Sequence, residues 1–363
     1  MDRRYVGILL NKSVFEGIPS GNTKHEAIRF YEEAGHLHGL TPCYFRLQDI
    51  RLHQHTVNAY VKNHSGYIRT QLSIPAVIHN RALFTHTGPK KQIKKLVQSG
   101  IQVFNGWNRY GKLHIHNLLM ENISLRPHIP GTVAATPDAL KDMMALYDSL
   151  ILKPNSSSIG RGIMRLDRSP AEWQLTYRTR DGWRKHRFVS QIPLFLKRKL
   201  QRDQYIVQQR LPLATYNGCP FDLRVSIQRT HTGDWAMTGI AAKVAAKNAF
   251  ITNVAQGGTV YRLEEILRQY PELNAAQVRN NIEDFCLHAA RHLSGYLPHL
   301  ADVGFDIGLT SSGYPLFVEC NGRDLRYSFQ KGNMPQEWRA TYTNPIGFAR
   351  YLLDGKVPPN RGL

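Results

Sequence analysis

Residues 303–324, VGFDIGLTSSGYPLFVECNGRD, constrain the fold more than any other stretch of the chain. They read as two short strands joined by a polar turn at Thr310, Ser311, Ser312 and Gly313. Side chains alternate across a strand, so Val303, Phe305, Ile307 and Leu309 point one way and Gly304, Asp306 and Gly308 the other. Asp306 therefore stands on a face cleared by glycines. In the second strand Phe317, Glu319 and Asn321 are expected on one face, with Leu316, Val318 and Cys320 on the opposite one. If the two polar faces coincide, two carboxylates and an amide oxygen converge. Such hard donors suit Mg²⁺, which takes one or two protein carboxylates and completes its shell with waters and phosphate oxygens. An ordinary hairpin with solvated polar residues fits this stretch equally well.

A chain of 363 residues exceeds one compact core and implies two or three packed units. It is 42% hydrophobic and has no long apolar run; the run from Tyr5 to Leu10 is too short for a signal peptide, so a cytoplasmic location is expected. Cys43, Cys219, Cys286 and Cys320 lack metal or disulfide spacing and read as small core residues. The formal charge of +20 is partly concentrated between Arg178 and Arg202, where nine Lys or Arg face one acid, Asp181. Such a segment is either a solvated face or a surface that attracts a polyanion, an acidic peptide or polymer included. No specific nucleic-acid motif and no transmembrane segment accompany it.

In chain order, residues 5–10 make a buried strand and Thr23 to Gly39 a helix opened by the capping box Thr23-x-x-Glu26. Extended structure resumes at Pro42, which makes a βαβ opening. Strands at 65–69, 76–79 and 101–104 and a helix near 90–98 extend an α/β unit over residues 1–120. A helix opening at Thr136 and Pro137 leads into Leu150-Ile151-Leu152-Lys153-Pro154, then into the small-residue loop from Asn155 to Ile163. Backbone N–H groups in such a loop can wrap phosphate oxygens, with Lys153 adding a point charge; a plain hairpin turn is the alternative. Strands follow at 204–209, at 221–228 with Asp222, Arg224, Ser226 and Gln228 on one face, and at 235–244 with Lys243. Asn274 then caps a long amphipathic helix.

Taken in this order, LKPNSSSIGRGI, FDLRV, ITNVAQGG, FDIGL and FVECN resemble the motifs of the ATP-grasp superfamily over roughly residues 105–350, and more narrowly the YheC/YheD family of endospore coat-associated proteins. The resemblance implies an α/β and α+β architecture. A Rossmann-like pre-ATP-grasp domain (1–120) would precede an ATP-grasp N-terminal subdomain with a phosphate lid (121–206), a C-terminal subdomain with the Mg site (207–355) and a tail (356–363). It implies ATP and Mg²⁺ as cofactors. Lys112, Lys153 and Lys243 would contact phosphates, with Ser157, Gly160 and Gly162 in the lid. Gln209, Arg210 and Leu211 would line the adenine and Asp222 the ribose, while Asn253 would sit near the transferred group. Arg224 would stabilise the phosphoryl group, Asp306, Glu319 and Asn321 would hold the metal, and Arg323 and Arg326 would face the acceptor. Gly111 stands where related ligases often carry an acid, and Gln209 where many carry a hinge glutamate.

The function implied is an ATP- and Mg-dependent carboxylate–amine ligase acting through an acyl phosphate on a carboxylate and an amine, with a spore-associated or acidic acceptor. The alternatives are an ATP-dependent phosphotransferase and a non-catalytic nucleotide-binding component of the spore coat.

Overall fold

The computed structural model describes residues 4–157, 160–247, 252 and 257–357. Their strands form three sheets, each drawn from its own stretch of chain. The first contains β1 (Tyr5–Leu9), β2 (Thr41–Phe45), β3 (Ile50–Arg51), β4 (Thr56–Asn63), β5 (Gly66–Ser73), β6 (Val77–Asn80) and β7 (Gln102–Phe104). Its order is β3-β4-β2-β1-β6-β7, with β5 beside β4. Strands β2, β1, β6 and β7 run parallel, whereas β3, β4 and β5 join antiparallel on the β2 side. Helices α1 (Lys12–Phe15), α2 (Ile28–His38) and α3 (Thr87–Gln98) accompany them. The parallel half matches the expected βαβ opening, and the antiparallel extension makes the sheet mixed. Strand β4 was not anticipated.

Helix α2 begins at Ile28 rather than at Thr23. Lys24 has φ 56°, a left-handed conformation that no helix interior accepts. Thr23 closes a turn by donating to the Glu26 carbonyl at 2.6 Å. The Glu26 carboxylate is directed to Arg81 and Tyr31 instead of capping the helix.

The second sheet is antiparallel: β8 (Thr132–Ala134), β9 (Ser149–Pro154), β10 (Met164–Arg168), β11 (Trp173–Thr179), β12 (Gly182–Phe188) and β13 (Tyr205–Gln209), in the order β12-β11-β10-β9-β13-β8. Helix α4 (Lys112–Glu121) precedes it, and α5 (Pro137–Leu146) and α6 (Leu194–Arg202) cover one face. That face carries Leu150, Leu152, Leu166 and Leu175, packed on Leu140 and Leu196. Ile151, Lys153 and Arg165, alternate residues of the same strands, face the other way.

The third sheet comprises β14 (Thr215–Tyr216), β15 (Cys219–Arg229), β16 (Trp235–Val244), β17 (Thr259–Tyr261), β18 (Asp302–Leu309) and β19 (Pro315–Asn321), ordered β17-β16-β15-β18-β19 with β14 on β15. Its apolar face packs under α7 (Leu263–Leu267) and α8 (Ala275–Tyr296), the latter capped where the Asn274 side chain accepts from the Gln277 N–H at 3.0 Å. Two further helices follow, α9 (Tyr327–Lys331) and α10 (Pro335–Leu353). Helix α10 places Tyr342, Ile346 and Phe348 in one core with Val6, Ile8 and Phe30, so the end of the described chain packs on its beginning. Among the described residues no helix is long and apolar enough to cross a membrane.

A buried ionic junction joins the first sheet to the third. Asp302, fully buried, accepts from Arg326 at 2.6 Å, from Arg81 at 3.3 Å and from Gln228 at 2.8 Å. Arg81 also donates to Glu26 at 3.0 Å and to the Asp324 carbonyl at 2.8 Å, and the Arg326 guanidinium lies 4.3 Å from the Tyr342 ring centre. His79 is stacked on Phe104 with burial holding its pKa down to about 4, so it is neutral at physiological pH. Burial opposes ionisation of Glu26, but Arg81 and Arg326 outweigh it and lower its pKa from 4.5 to about 2. A carboxylate depressed in the folded state contributes stability above its unfolded pKa and loses it as pH falls. Glu26→Gln should therefore lower the urea midpoint at neutral pH and flatten its decline between pH 4.5 and about 2. Asp302→Ala, which strips Arg326 and Arg81 of their shared carboxylate, should cost about 3–5 kcal/mol in the same measurement.

Candidate active site

A cavity of about 540 Å³ lies between the polar face of the second sheet and that of the third. Ile151, Ile163, Leu211, Leu213 and Val318 line an apolar part, while Lys112, Lys153, Arg224 and Lys243 supply cations and Asp222, Asp306 and Glu319 supply carboxylates. The volume and the mixture of apolar wall and convergent polar groups suit a small ligand.

Strand pairing explains the convergence. On β15, Asp222 is opposite Lys243 of β16 and Arg224 is opposite Asp306 of β18; Asp306 is in turn opposite Glu319 of β19. Arg224 grips Asp306 with two nitrogens, at 2.9 and 3.3 Å, and reaches Asp324 at 3.1 Å. Lys243 sits 2.8 Å from both Asp306 and Asp222. Burial disfavours the Asp306 charge, yet Arg224 and Lys243 overcome it and hold its carboxyl well below the usual range. Burial also works against the Lys243 charge, and Asp222 and Asp306 reverse that and raise its pKa. Asp222, buried and beside Asp306, has its pKa raised by burial above all, although Lys243 and a hydrogen bond from Thr252 counter it.

The second sheet and α4 bring the other cations. Lys153 points from β9 across the cavity to the Val318 carbonyl at 3.3 Å, and burial lowers its pKa from 10.5 to about 8. Lys112, at the start of α4, lies 3.1 Å from Glu319 and donates to the Ser157 carbonyl at 2.8 Å. The N-terminus of α4 is capped from the lid loop: Asn155 accepts from the N–H groups of Lys112, at 3.0 Å, and Leu113, at 2.9 Å. Gly111 permits this approach, because a Cβ there would sit 3.1 Å from the Asn155 amide. The glycine noted as a departure thus ties Lys112 to the loop. Neither Asn155 nor this cap was foreseen, since the two segments lie far apart in sequence.

Ser157, Gly160, Gln209, Arg210 and Leu211 line the cavity as well. Gly162 is beside it rather than on it: its carbonyl accepts from Tyr205 at 3.0 Å, and its φ of 76° makes it a turning residue. Asn253 lies outside the described residues. Two expectations are corrected. Arg326 does not face a substrate space, because it is 1% exposed and bound to Asp302, Tyr31 and Tyr342. Arg323 likewise turns toward the first sheet, donating to Asn11 at 3.2 Å and to the Arg81 carbonyl at 3.3 Å.

The expected alternation of β19 is also broken. Ile307 pairs with Phe317 but Asp306 pairs with Glu319, so Val318 is an extra residue, a β-bulge. Phe317 stays in the apolar core while Val318, Glu319 and Asn321 all line the cavity. The glycines flanking Asp306 clear space for protein rather than ligand. A Cβ on Gly304 would lie 2.5 Å from Asp324, and one on Gly308 would overlap Leu213. Asp324 was missed because nothing in the loop sequence signals that its side chain returns to Arg224 and Ser226.

For a divalent cation the donor set is Asp306, Glu319 and the Asn321 amide, whose nitrogen now lies 3.3 Å from Asp306. Among the described residues no group of three or more His, Cys, Asp or Glu is assembled for a metal. Two cross-strand carboxylates beside an amide nevertheless fit Mg²⁺, which relies on few protein ligands.

The sequence matches the profile described as YheC/D-like ATP-grasp over residues 100–352, well over half the chain. The chain belongs to the YheC/D-like ATP-grasp family. It is 24% identical to the endospore coat-associated protein YheD of Bacillus subtilis (strain 168) over 339 residues, covering 86% of this chain and 71% of YheD. It is 21% identical to YheC of the same organism over 303 residues, covering 82% of this chain and 83% of YheC. Among solved structures it resembles the VanG D-Ala:D-Ser ligase of Enterococcus faecalis, with TM-score 0.54, 11% identity and coverage of 96% and 100%. It also resembles the ATP-grasp ligase PsnB complexed with minimal precursor, with TM-score 0.52, 14% identity and coverage of 96% and 100%. At these identities the likeness is one of fold, and the ATP-grasp fold places the cavity between its two sheets.

Because the Lys153 ammonium is retained only up to about pH 8, affinity for a triphosphate should fall as pH rises past that value. In Lys153→Met, calorimetric titration with a non-hydrolysable ATP analogue should show weaker binding and lose that component of the pH dependence.

Proposed function

We propose that this protein is an ATP- and Mg²⁺-dependent carboxylate–amine ligase that activates its acid as an acyl phosphate. One observation carries the reading: Lys112, Lys153, Arg224 and Lys243 converge with Asp306, Glu319 and Asn321 in a single cavity between the two ATP-grasp sheets. Lys112, Arg224 and Lys243 are at present paired with Glu319, Asp306, Asp324 and Asp222, while Lys153 donates to the Val318 carbonyl. A triphosphate entering the site must draw these cations off their carboxylates or bring a cation of its own.

Asp306, Glu319 and Asn321 would hold Mg²⁺, which, when bound, neutralises phosphate charge and polarises the transferred group. Lys112 and Lys243, drawn off their carboxylates, would turn to phosphate oxygens, and Lys153 already spans the cavity. Arg224, fixed by Asp306 and Asp324, stabilises charge on the γ-phosphoryl oxygens without reorganising. The linker Gln209, Arg210 and Leu211 would border the adenine. A ribose contact by Asp222 must compete with Lys243 and Thr252. A carboxylate oxygen of the acid attacks the γ-phosphorus and ADP leaves; the amine nitrogen then attacks the acyl carbon, and phosphate leaves with formation of the amide. The lid at residues 155–162 would keep water from the acyl phosphate.

The likeness to YheD and YheC motivates a spore-associated acceptor, and the chain's positive charge favours an acidic one. Product analysis tests the chemistry: ADP with free phosphate and a new amide supports the ligase, whereas ADP with a phosphorylated product assigns a phosphotransferase. Glu319→Gln, altering a partly exposed carboxylate, should reduce Mg-dependent ADP formation by about 100-fold or more with little change in melting temperature. Retained turnover in that variant would refute the metal assignment.

A further inference from the structure

The basic segment of the sequence is resolved as the β11–β12 hairpin and helix α6, and the cavity does not use it. Cross-strand register connects the two nevertheless. Ile151 of β9 is opposite Arg165 of β10, Arg165 is opposite Thr176 of β11, and Thr176 is opposite Lys185 of β12. Residues in one cross-strand row share a face of the sheet. Ile151 and Arg165 line the cavity, so the cavity wall continues outward to Lys185. At the usual strand spacing Lys185 lies about 14 Å from Ile151. The neighbouring rows place Arg187 opposite Gln174 and Trp183 opposite Arg178 on this same face.

Strand β12 ends the sheet order, and its outer edge offers backbone donors and acceptors to another chain. Charged residues alone would be an ordinary guard against aggregation. This edge also exposes Trp183 at 44%, with Phe195 at 40% on α6 behind it, and large exposed aromatics work against a purely protective role. Arg184 and Arg187 have acidic neighbours, Asp181 at 3.5 Å and Glu172 at 3.3 Å, whereas Arg178 and Lys185 show no ion pair among the described residues.

We infer that the outer edge of β12 docks an extended acidic polypeptide, which adds a strand to the sheet and lays its carboxylates along Arg178, Lys185 and Arg187, with Trp183 as the apolar contact. Strand addition takes its affinity from main-chain hydrogen bonds and its specificity from alternate side chains. Those main-chain bonds distinguish a peptide from a nucleic acid, which would satisfy the charges but not the edge. The purpose of docking rests on the ligase reading: the track leads a bound chain's side-chain or terminal carboxylate toward the ATP cavity.

The test measures binding of a short glutamate-rich peptide to the full-length protein without nucleotide. It uses the wild type and the triple variant R178E/K185E/R187E, whose positions are outside the cavity. The wild type should bind the peptide, and the triple variant about tenfold more weakly, with affinity for an ATP analogue unchanged. A peptide N-methylated at alternate residues should bind about fivefold more weakly, the loss expected of main-chain pairing. Single-stranded DNA of equal charge should bind less well than the peptide. Equal binding of DNA and peptide, indifference to N-methylation, or an unaffected triple variant would each overturn the proposal. Docking can hold even if no amide product is ever found, and a protein that makes ADP yet ignores the peptide overturns docking alone.

Discussion

The Arg224–Asp306 pair is the interaction on which the candidate site depends. It crosses from β15 to β18 in the middle of the third sheet, where Arg224 is buried and Asp306 keeps only slight exposure, on the cavity side. Two buried charges are tolerable only with good geometry and further partners, because desolvation costs each several kcal/mol. The protein supplies both: a two-nitrogen grip, Lys243 on the carboxylate, and Asp324 on the guanidinium. Every neighbour follows from this pair. Gly304 exists in a form that admits Asp324, Ser226 donates to Asp324, and Asp222 steadies Lys243. The result is a set of cations held in fixed positions by their carboxylates.

The first sheet contributes to the same array indirectly. Arg81, at the end of its central strands, donates to the Asp324 carbonyl while the Asp324 side chain holds Arg224. The loop after β19 is thereby fixed from both directions. Arg326 of that loop and Tyr342 of α10 complete the junction around Asp302. The first sheet is thus mechanically part of the half that carries the cavity, although none of its strand residues lines that cavity.

Much of this was legible from periodicity. The alternation in 221–228 located β15 and its polar face, and the boundaries of β16 and the cap of α8 followed from turn and capping residues. The order of motifs then located Lys153, Lys243, Asp306 and Glu319, which the structure brings to one cavity. What failed to show depended on tertiary contacts. Thr23 and Glu26 have the spacing of a capping box, but Arg81, 55 residues later, takes the carboxylate. Arg323 and Arg326 have the appearance of acceptor ligands until Asn11, Glu26 and Asp302 are placed beside them. Asn155 and Asp324 act on residues that local sequence does not connect with them.

The bulge at Val318 has a consequence for how this chain tolerates change. In a regular strand the phase of in and out is fixed by counting, and Val318 resets the count immediately before Glu319. A second bulge lies on β16, where Thr238 is the extra residue, since Ser226 of β15 pairs with Gly239 and Ile227 with Met237. A replacement within β19 alters one contact, but an insertion or deletion between Phe317 and Glu319 would exchange core for cavity along the rest of the strand. Chain length at these two points is thus under tighter control than residue type, and engineering of this scaffold should keep its gaps and grafts away from them.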